Sequence, residues 1–221
     1  MKQSTWFGVV ALLAVTSLAG AATSISTLPF NGSISSFGEF NTATYGQTVT
    51  APGVDNVLDS FSVWIDDWQN PDAVDFAGYV MAWDGEKATG PVLWSSEQMS
   101  TTNNGGLGGY EKFTFNTGGV SLTSGAQYVL FVSASNYFDG VQGLSELAGG
   151  EMNYDGGNFV YMNNGSRFSD LTSGAWHLWY QDLAFEAGFS AGGPAVPAPA
   201  ALLLSGIGAG LVSWMRRRES L

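Results

Sequence analysis

The chain has 221 residues, a formal net charge of −12 and no cysteine. The lack of cysteine excludes disulfides and thiol chemistry, and an acidic surface repels phosphate backbones, which argues against nucleic-acid binding. Thirty glycines and an aromatic content of 14% favour short strands joined by tight turns over helices.

The N-terminus has the pattern of a secretory signal peptide over residues 1–21. A lysine precedes an apolar stretch at 7–18, and Ala19 and Ala21 form a small-x-small motif that predicts cleavage before Ala22. An uncleaved membrane anchor is the alternative, although the apolar stretch is short for a spanning helix. We therefore expect signal peptidase and the Sec translocon to export the chain.

Residues 22–190 show strand-like alternation and no amphipathic helix of useful length. Glycine, asparagine and aspartate turns separate the apolar stretches, and one such turn is predicted at 116–119. Residues 135–170 are glycine-rich and are interpreted as loops around one short strand. The predicted strands cover 58–65, 76–83, 91–94, 112–116, 127–134, 158–162 and 178–189. This pattern predicts an all-β domain, an antiparallel β-sandwich that is jelly-roll-like.

An acidic, turn-rich segment follows the first of these strands. Calcium takes several oxygen ligands from flexible loops, so the segment is a candidate calcium site, although it lacks a D-x-D-x-D-G loop. We expect no other cofactor. The candidate ligands are Asp66, Asp67, Asp72 and Asp75.

Aromatic side chains in the loop-rich stretch are candidates for contact with glycans. Tyr137, Tyr154 and Tyr161 lie there, near amides and carboxylates. The competing interpretation assigns large aromatics to the sandwich core. Carbohydrate binding by the domain is therefore one hypothesis for its function.

The sequence shows little that points to catalysis. His177 is the only histidine, no G-x-S-x-G motif occurs, and a zinc site would need more nitrogen or sulfur donors. We therefore predict that the protein is not an enzyme. Carboxylate pairs leave a glycan hydrolase as the alternative.

The C-terminus is a second apolar segment that ends in basic residues. Residues 191–199 form a Gly/Pro linker, residues 200–215 predict a single transmembrane helix of roughly 24 Å, and residues 216–221 form a basic tail. Arg216, Arg217 and Arg218 would hold that tail in the cytoplasm. The two ends thus predict one topology, with 22–190 outside the inner membrane.

This tail resembles the PEP-CTERM sorting signal of Gram-negative bacteria that make exopolysaccharide. The shared features are a Val-Pro-x-Pro box, an apolar helix and a terminal arginine cluster. Here the box is Val196, Pro197, Ala198 and Pro199. Ala198 replaces the glutamate of the family's named form and matches a Val-Pro-x-Pro-Ala-Ala variant. An ordinary single-span anchor with a proline-rich linker is the alternative.

The resemblance implies that a membrane enzyme, an exosortase, cleaves near the box. The chain would be a single-pass intermediate of the inner membrane, with its domain in the periplasm. It would end at the cell surface or in the extracellular matrix, with exopolysaccharide as a potential partner. The runs YVMAWDGEKATGPVLWSS and FTFNTGGVSLTSGAQYVLFVS also look like passenger domains of this family, which are predicted sandwiches without an assigned activity.

Overall fold

The computed structural model describes residues 22–68 and 72–192. The predicted signal peptide before Ala22, the sorting box, the transmembrane helix and the basic tail lie outside the described residues. In the part of the chain that is described, no helix is long and apolar enough to cross a membrane.

Thirteen strands make up most of the described chain. In chain order they are β1 Thr23–Ser26, β2 Ser33–Gly38, β3 Thr44–Thr50, β4 Val57–Asp67, β5 Asp75–Trp83, β6 Ala88–Ser95, β7 Met99–Ser100, β8 Glu111–Ser121, β9 Gln127–Ser133, β10 Leu144–Ala148, β11 Phe159–Met162, β12 His177–Leu178 and β13 Phe185–Ser190. One helical turn at Asn103–Gly106 and one 3-10 helix at Phe168–Thr172 interrupt them.

The strands form two antiparallel sheets. Sheet A has the order β1-β13-β4-β10-β2, and β8 also pairs with β4. Sheet B has the order β12-β11-β3-β9-β5-β6, and β7 pairs with β5. The predicted all-β fold of two antiparallel sheets is therefore confirmed.

Several predicted strands coincide with observed ones, and three regions differ. The predicted strands at 58–65, 76–83, 127–134 and 158–162 match β4, β5, β9 and β11. Residues 116–119 are not a turn but part of β8, where a register shift against β4 absorbs Gly118 and Gly119 with positive φ. The region interpreted as loops contains β10. The single strand predicted at 178–189 is two strands, β12 and β13, which belong to different sheets.

The main core lies between the sheets and is rich in aromatic rings. Phe61 and Phe115 stack with ring centroids 4.7 Å apart, and Phe76 meets Phe113 edge-on at 5.0 Å. Offset and edge-on ring pairs add stability beyond the area that they bury. Alternation along β8 directs Phe113 and Phe115 inward, and alternation along β13 does the same for Phe185 and Phe189.

A second apolar cluster covers the outer face of sheet B. Residues 163–176 cross this face and bring Leu171 and Trp176 onto it. Trp176 packs edge-on against Trp83 and Phe131, with centroids 5.5 Å apart in both pairs. Its Nε1 donates to the Leu171 carbonyl oxygen at 2.9 Å, so the indole is buried without an unpaired donor. Sheet B is consequently buried on both faces.

The close approach of the two sheets requires a glycine at position 78. A Cβ on Gly78 would lie 2.5 Å from the Phe115 ring, well inside van der Waals contact. We expect Gly78→Ala to lower the free energy of unfolding by about 1–3 kcal/mol, because an added methyl overpacks a dense core. Urea denaturation measures this change.

The control is Gly53→Ala, because no atom lies within 4 Å of a Cβ at Gly53. Equal stabilities of the two variants would contradict the described packing between the sheets.

Candidate functional site

A cleft opens where the chain passes from β12 of sheet B to β13 of sheet A. Its volume is about 360 Å³, and two segments, 152–158 and 179–182, form its walls. We call it the aromatic cleft, and it is lined by Met152, Tyr154, Asp155, Gly157, Asn158, Trp179, Tyr180, Gln181 and Asp182. Every lining residue is thus held on one of two short connections at the side of the sandwich.

A buried amide on β3 positions the second wall. The Gln47 side chain is 1% exposed. Its Nε2 donates to Asp182 Oδ1 at 2.8 Å, and its Oε1 accepts from the Leu183 N–H at 3.0 Å. The Trp179 N–H donates to the Phe159 carbonyl oxygen at 3.1 Å. These contacts fix the 179–183 segment at both ends.

The first wall is held against the same strand. The Tyr154 hydroxyl accepts from the Thr50 N–H at 3.2 Å, and Thr50 Oγ1 donates to the Gly156 carbonyl oxygen at 2.8 Å. A side chain at Gly157 would overlap the Thr48 carbonyl group, so only glycine permits this approach. The wall is therefore held by hydrogen bonds to β3, although it has no regular secondary structure itself.

Two adjacent aromatic rings are presented at the cleft. The rings of Trp179 and Tyr180 stack with centroids 5.0 Å apart and an interplanar angle of 29°. Trp179 is 40% exposed and Tyr180 is 75% exposed. Tyr161 supports Trp179 edge-on at 6.0 Å and stacks on His177 at 5.1 Å. Large exposed aromatic surface of this kind is typical of binding sites.

The polar groups of the cleft include two carboxylates, which accept hydrogen bonds when ionised. Asp155 is exposed, whereas Asp182 is almost fully buried. Burial raises the pKa of Asp182 above its ordinary value, and the hydrogen bond from Gln47 only partly opposes this shift. Burial likewise raises the pKa of Tyr154. Asn158 and Gln181 add amide groups that both donate and accept.

The three tyrosines predicted to contact glycans occupy different surroundings. Tyr154 lines the aromatic cleft, and Tyr161 supports Trp179 from beside it. Tyr137 does not line the cleft and instead packs on the core that covers the outer face of sheet B. The sequence interpretation missed Trp179 and Tyr180 as site residues. The sequence did contain a signal for them: Trp179 and Tyr180 are consecutive large aromatic residues, which does not fit the alternation of apolar and polar residues expected in a strand.

The four aspartates predicted to bind calcium do not form one cluster of ligands. Asp66 and Asp67 are consecutive in β4 and so point to opposite faces. Thr101 Oγ1 donates to Asp67 at 2.5 Å, and Gln98 Nε2 donates to Asp75 at 2.7 Å. Asp72 and Asp75 line a small pocket near Glu39. In the described ranges, no group of three or more histidine or acidic side chains is arranged to hold a metal ion.

Comparisons with known proteins give little that bears on this site. No protein-family model matches the chain, and no curated protein matches it. One match among solved structures is the crystal structure of the cysteine protease and lectin-like domains of Cwp84, a surface layer associated protein of Clostridium difficile. The identity is 11% and the TM-score is 0.44, over 68% of this chain and 32% of that chain. The chain thus spans about a third of the matched structure.

The match corrects one prediction from the sequence. The prediction that the protein is not an enzyme is contradicted, because the matched structure includes a cysteine protease, and we withdraw it. A TM-score of 0.44 carries no argument about the activity of this chain, which has no cysteine to act as a nucleophile.

The raised pKa of Asp182 predicts a specific dependence of stability on pH. Because the folded state holds this proton more tightly, the carboxyl contributes stability below its ordinary pKa of about 3.8 and loses it as pH rises through the folded pKa. We expect the wild type to lose free energy of unfolding relative to Asp182→Asn between about pH 3 and pH 7. Urea denaturation across this range measures the difference.

Glu97→Gln is the control, because Glu97 is exposed and lies away from the cleft. A difference between wild type and Asp182→Asn that stays constant with pH would refute the assignment of a raised pKa.

Proposed function

We propose that this chain is an exported surface protein whose β-sandwich domain binds carbohydrate polymer in the aromatic cleft. The observation that carries the proposal is the exposed, stacked pair of Trp179 and Tyr180 beside carboxylate and amide groups. In this proposal the chain is exported and sorted by an exosortase, and the cleft binds the polymer.

The chemistry of sugars matches this arrangement of groups. A pyranose ring has a face of C–H groups that packs on an aromatic ring, and an edge of hydroxyls that donate and accept hydrogen bonds. The cleft offers Trp179 and Tyr180 for the face, and Asp155, Asn158 and Gln181 for the edge. Because the cleft is open to solvent between two chain segments, it suits a polymer better than an enclosed small molecule.

Sorting by the tail rests on the sequence motif and is supported by one feature of the fold. β1 and β13 are antiparallel neighbours, with Thr23 opposite Phe189. Ala22 and Gly192 therefore leave sheet A at the same end. A domain with both ends on one side can be presented to solvent while a C-terminal helix holds it at the inner membrane, before release to the surface or matrix.

We also propose that the sandwich is jelly-roll-like. Consecutive strands alternate between the sheets, from β3 to β5 and again from β8 to β11. Repeated crossing between two sheets is the connectivity on which jelly rolls are built. Calcium binding by the four aspartates remains a prediction from the sequence.

Glycan binding predicts a large loss of affinity on removal of the stacked rings. We expect Trp179→Ala and Tyr180→Ala to weaken binding on the order of 10-fold or more, since buried aromatics dominate binding energies. The measurement is calorimetric titration of the full-length protein with oligosaccharides chosen from a glycan array. The detergent must lack a sugar headgroup, which would compete for the cleft.

Trp68→Ala is the matched control, because Trp68 is 45% exposed and lies outside the cleft. If no oligosaccharide on the array binds, or if Trp68→Ala weakens binding as much as Trp179→Ala, the cleft is not a glycan site.

Sorting predicts that the terminal arginines control processing. With Arg216, Arg217 and Arg218 replaced by glutamine, the tail loses the charge that stops it in the membrane. We expect the wild type to reach the surface fraction without residues 1–21 and without the segment beyond the sorting box. The variant should show unprocessed or mislocalised protein. Intact mass of the surface fraction measures both ends, and identical masses and yields would exclude the sorting role.

A further inference from the structure

The charge of its lining residues distinguishes the aromatic cleft from a site that would bind any sugar. Asp155 and Asp182 line it, and no lysine or arginine of the described residues does so. Glu151 lies just before the first wall, is exposed, and accepts a hydrogen bond from Asn153 Nδ2 at 3.0 Å. The charged side chains at the cleft are thus all acidic.

The cations of the domain are few and are engaged elsewhere. Lys112 Nζ pairs with Glu186 at 2.6 Å on the outer face of sheet A, and Arg167 Nε pairs with Asp170 at 2.6 Å beside the 3-10 helix. Lys87 lies in the hairpin between β5 and β6. Residues 22–192 hold these three cations against eighteen carboxylates. The electrostatic potential at the cleft is therefore negative, because both the lining residues and the domain as a whole carry negative charge.

We infer that the aromatic cleft selects cationic amino-sugar polymers, glycans with free protonated amines, over neutral and anionic glycans. This inference rests on the proposed glycan-binding function and names its ligand class. A uronic-acid polymer would bring like charges against Asp155, which costs free energy. A protonated amine brings the opposite charge and three hydrogen-bond donors to a site whose charged groups are acceptors.

The geometry offers the ammonium group two kinds of partner. Asp155 is exposed and makes no hydrogen bond with another described residue, so its carboxylate is open to a ligand. Asp182 already accepts hydrogen bonds from the Gln47 side chain and the Tyr154 N–H, so its role is to hold the wall in place. The faces of Trp179 and Tyr180 attract a cation through the ring quadrupole.

The test compares ligands that share a pyranose ring and differ in the charge of one substituent. Oligomers of glucosamine and of N-acetylglucosamine with equal length and linkage share one ring and differ at the amine. Glucuronic-acid oligomers supply the anionic arm. Full-length protein is titrated at about pH 6, where amines are protonated, in a detergent without sugar and with a chelator that prevents bridging by divalent cations.

We expect the glucosamine oligomer to bind about 10-fold tighter than its acetylated counterpart at low salt, as one charge-assisted hydrogen bond would give. This preference should shrink at high salt and in Asp155→Asn, and it should persist in Glu97→Gln, which changes net charge equally at a remote site. Glucosamine binding should also require Trp179.

Two outcomes overturn the selectivity and leave glycan binding intact. One is equal or tighter binding of the acetylated oligomer that still depends on Trp179. The other is glucosamine binding that is unaffected by both Trp179→Ala and Asp155→Asn, since attraction would then belong to the acidic surface as a whole. If none of the three oligomers binds, the selectivity for amino sugars is likewise overturned, and the glycan-array test alone decides whether the cleft binds another glycan.

Discussion

The burial of sheet B on both faces is the constraint on which the rest of the structure depends. β5 and β9 are apolar at nearly every position, so each of their faces needs a cover. Sheet A covers one face, and residues 163–176 cover the other. A network of buried hydroxyls holds this second cover in place: Thr44 Oγ1 bonds to Ser133 Oγ at 2.7 Å and donates to Asn164 Oδ1 at 2.9 Å.

The polypeptide must then return from residues 163–176 to sheet A, and it does so past the side of the sandwich. The aromatic cleft lies on that return path.

The buried side-chain amide of Gln47 fixes the position of the segment that returns to sheet A. Gln47 projects from a central strand of sheet B and hydrogen-bonds to both Asp182 and the Leu183 backbone, so the wall that carries Trp179 and Tyr180 is attached to the middle of that sheet. Polar groups buried in a low-dielectric interior contribute to a unique structure when each finds a partner. No buried side-chain polar atom among the described residues lacks one. The cleft therefore has preformed walls, which reduces the ordering that a ligand would have to impose.

Sequence reasoning predicted the parts of the fold in which local pattern and tertiary role agree. β4, β5 and β9 combine alternation or continuous apolar character with turn residues at their ends. β10 was missed because it is only five residues long and has none of the β-branched or aromatic residues that favour strands. Its strand state comes from pairing with β2 and β4. The site was predicted only at Tyr154 and Tyr161. Trp179 and Tyr180 were absorbed into a long predicted strand, since an apolar run does not reveal that the chain changes sheets within it.

The pairing of the first strand with the last has a consequence for how the domain is made. Thr23 lies opposite Phe189, which are separated by nearly the whole length of the domain. Contacts so distant in sequence close late, because the intervening chain must be ordered first. The ribosome delivers β1 long before β13 exists, so sheet A stays open at this edge until residues 185–190 have been synthesised. A nascent chain without β13 cannot complete sheet A, so it can still pass unfolded through a narrow channel. The two-sheet sandwich is complete only after β13 has followed.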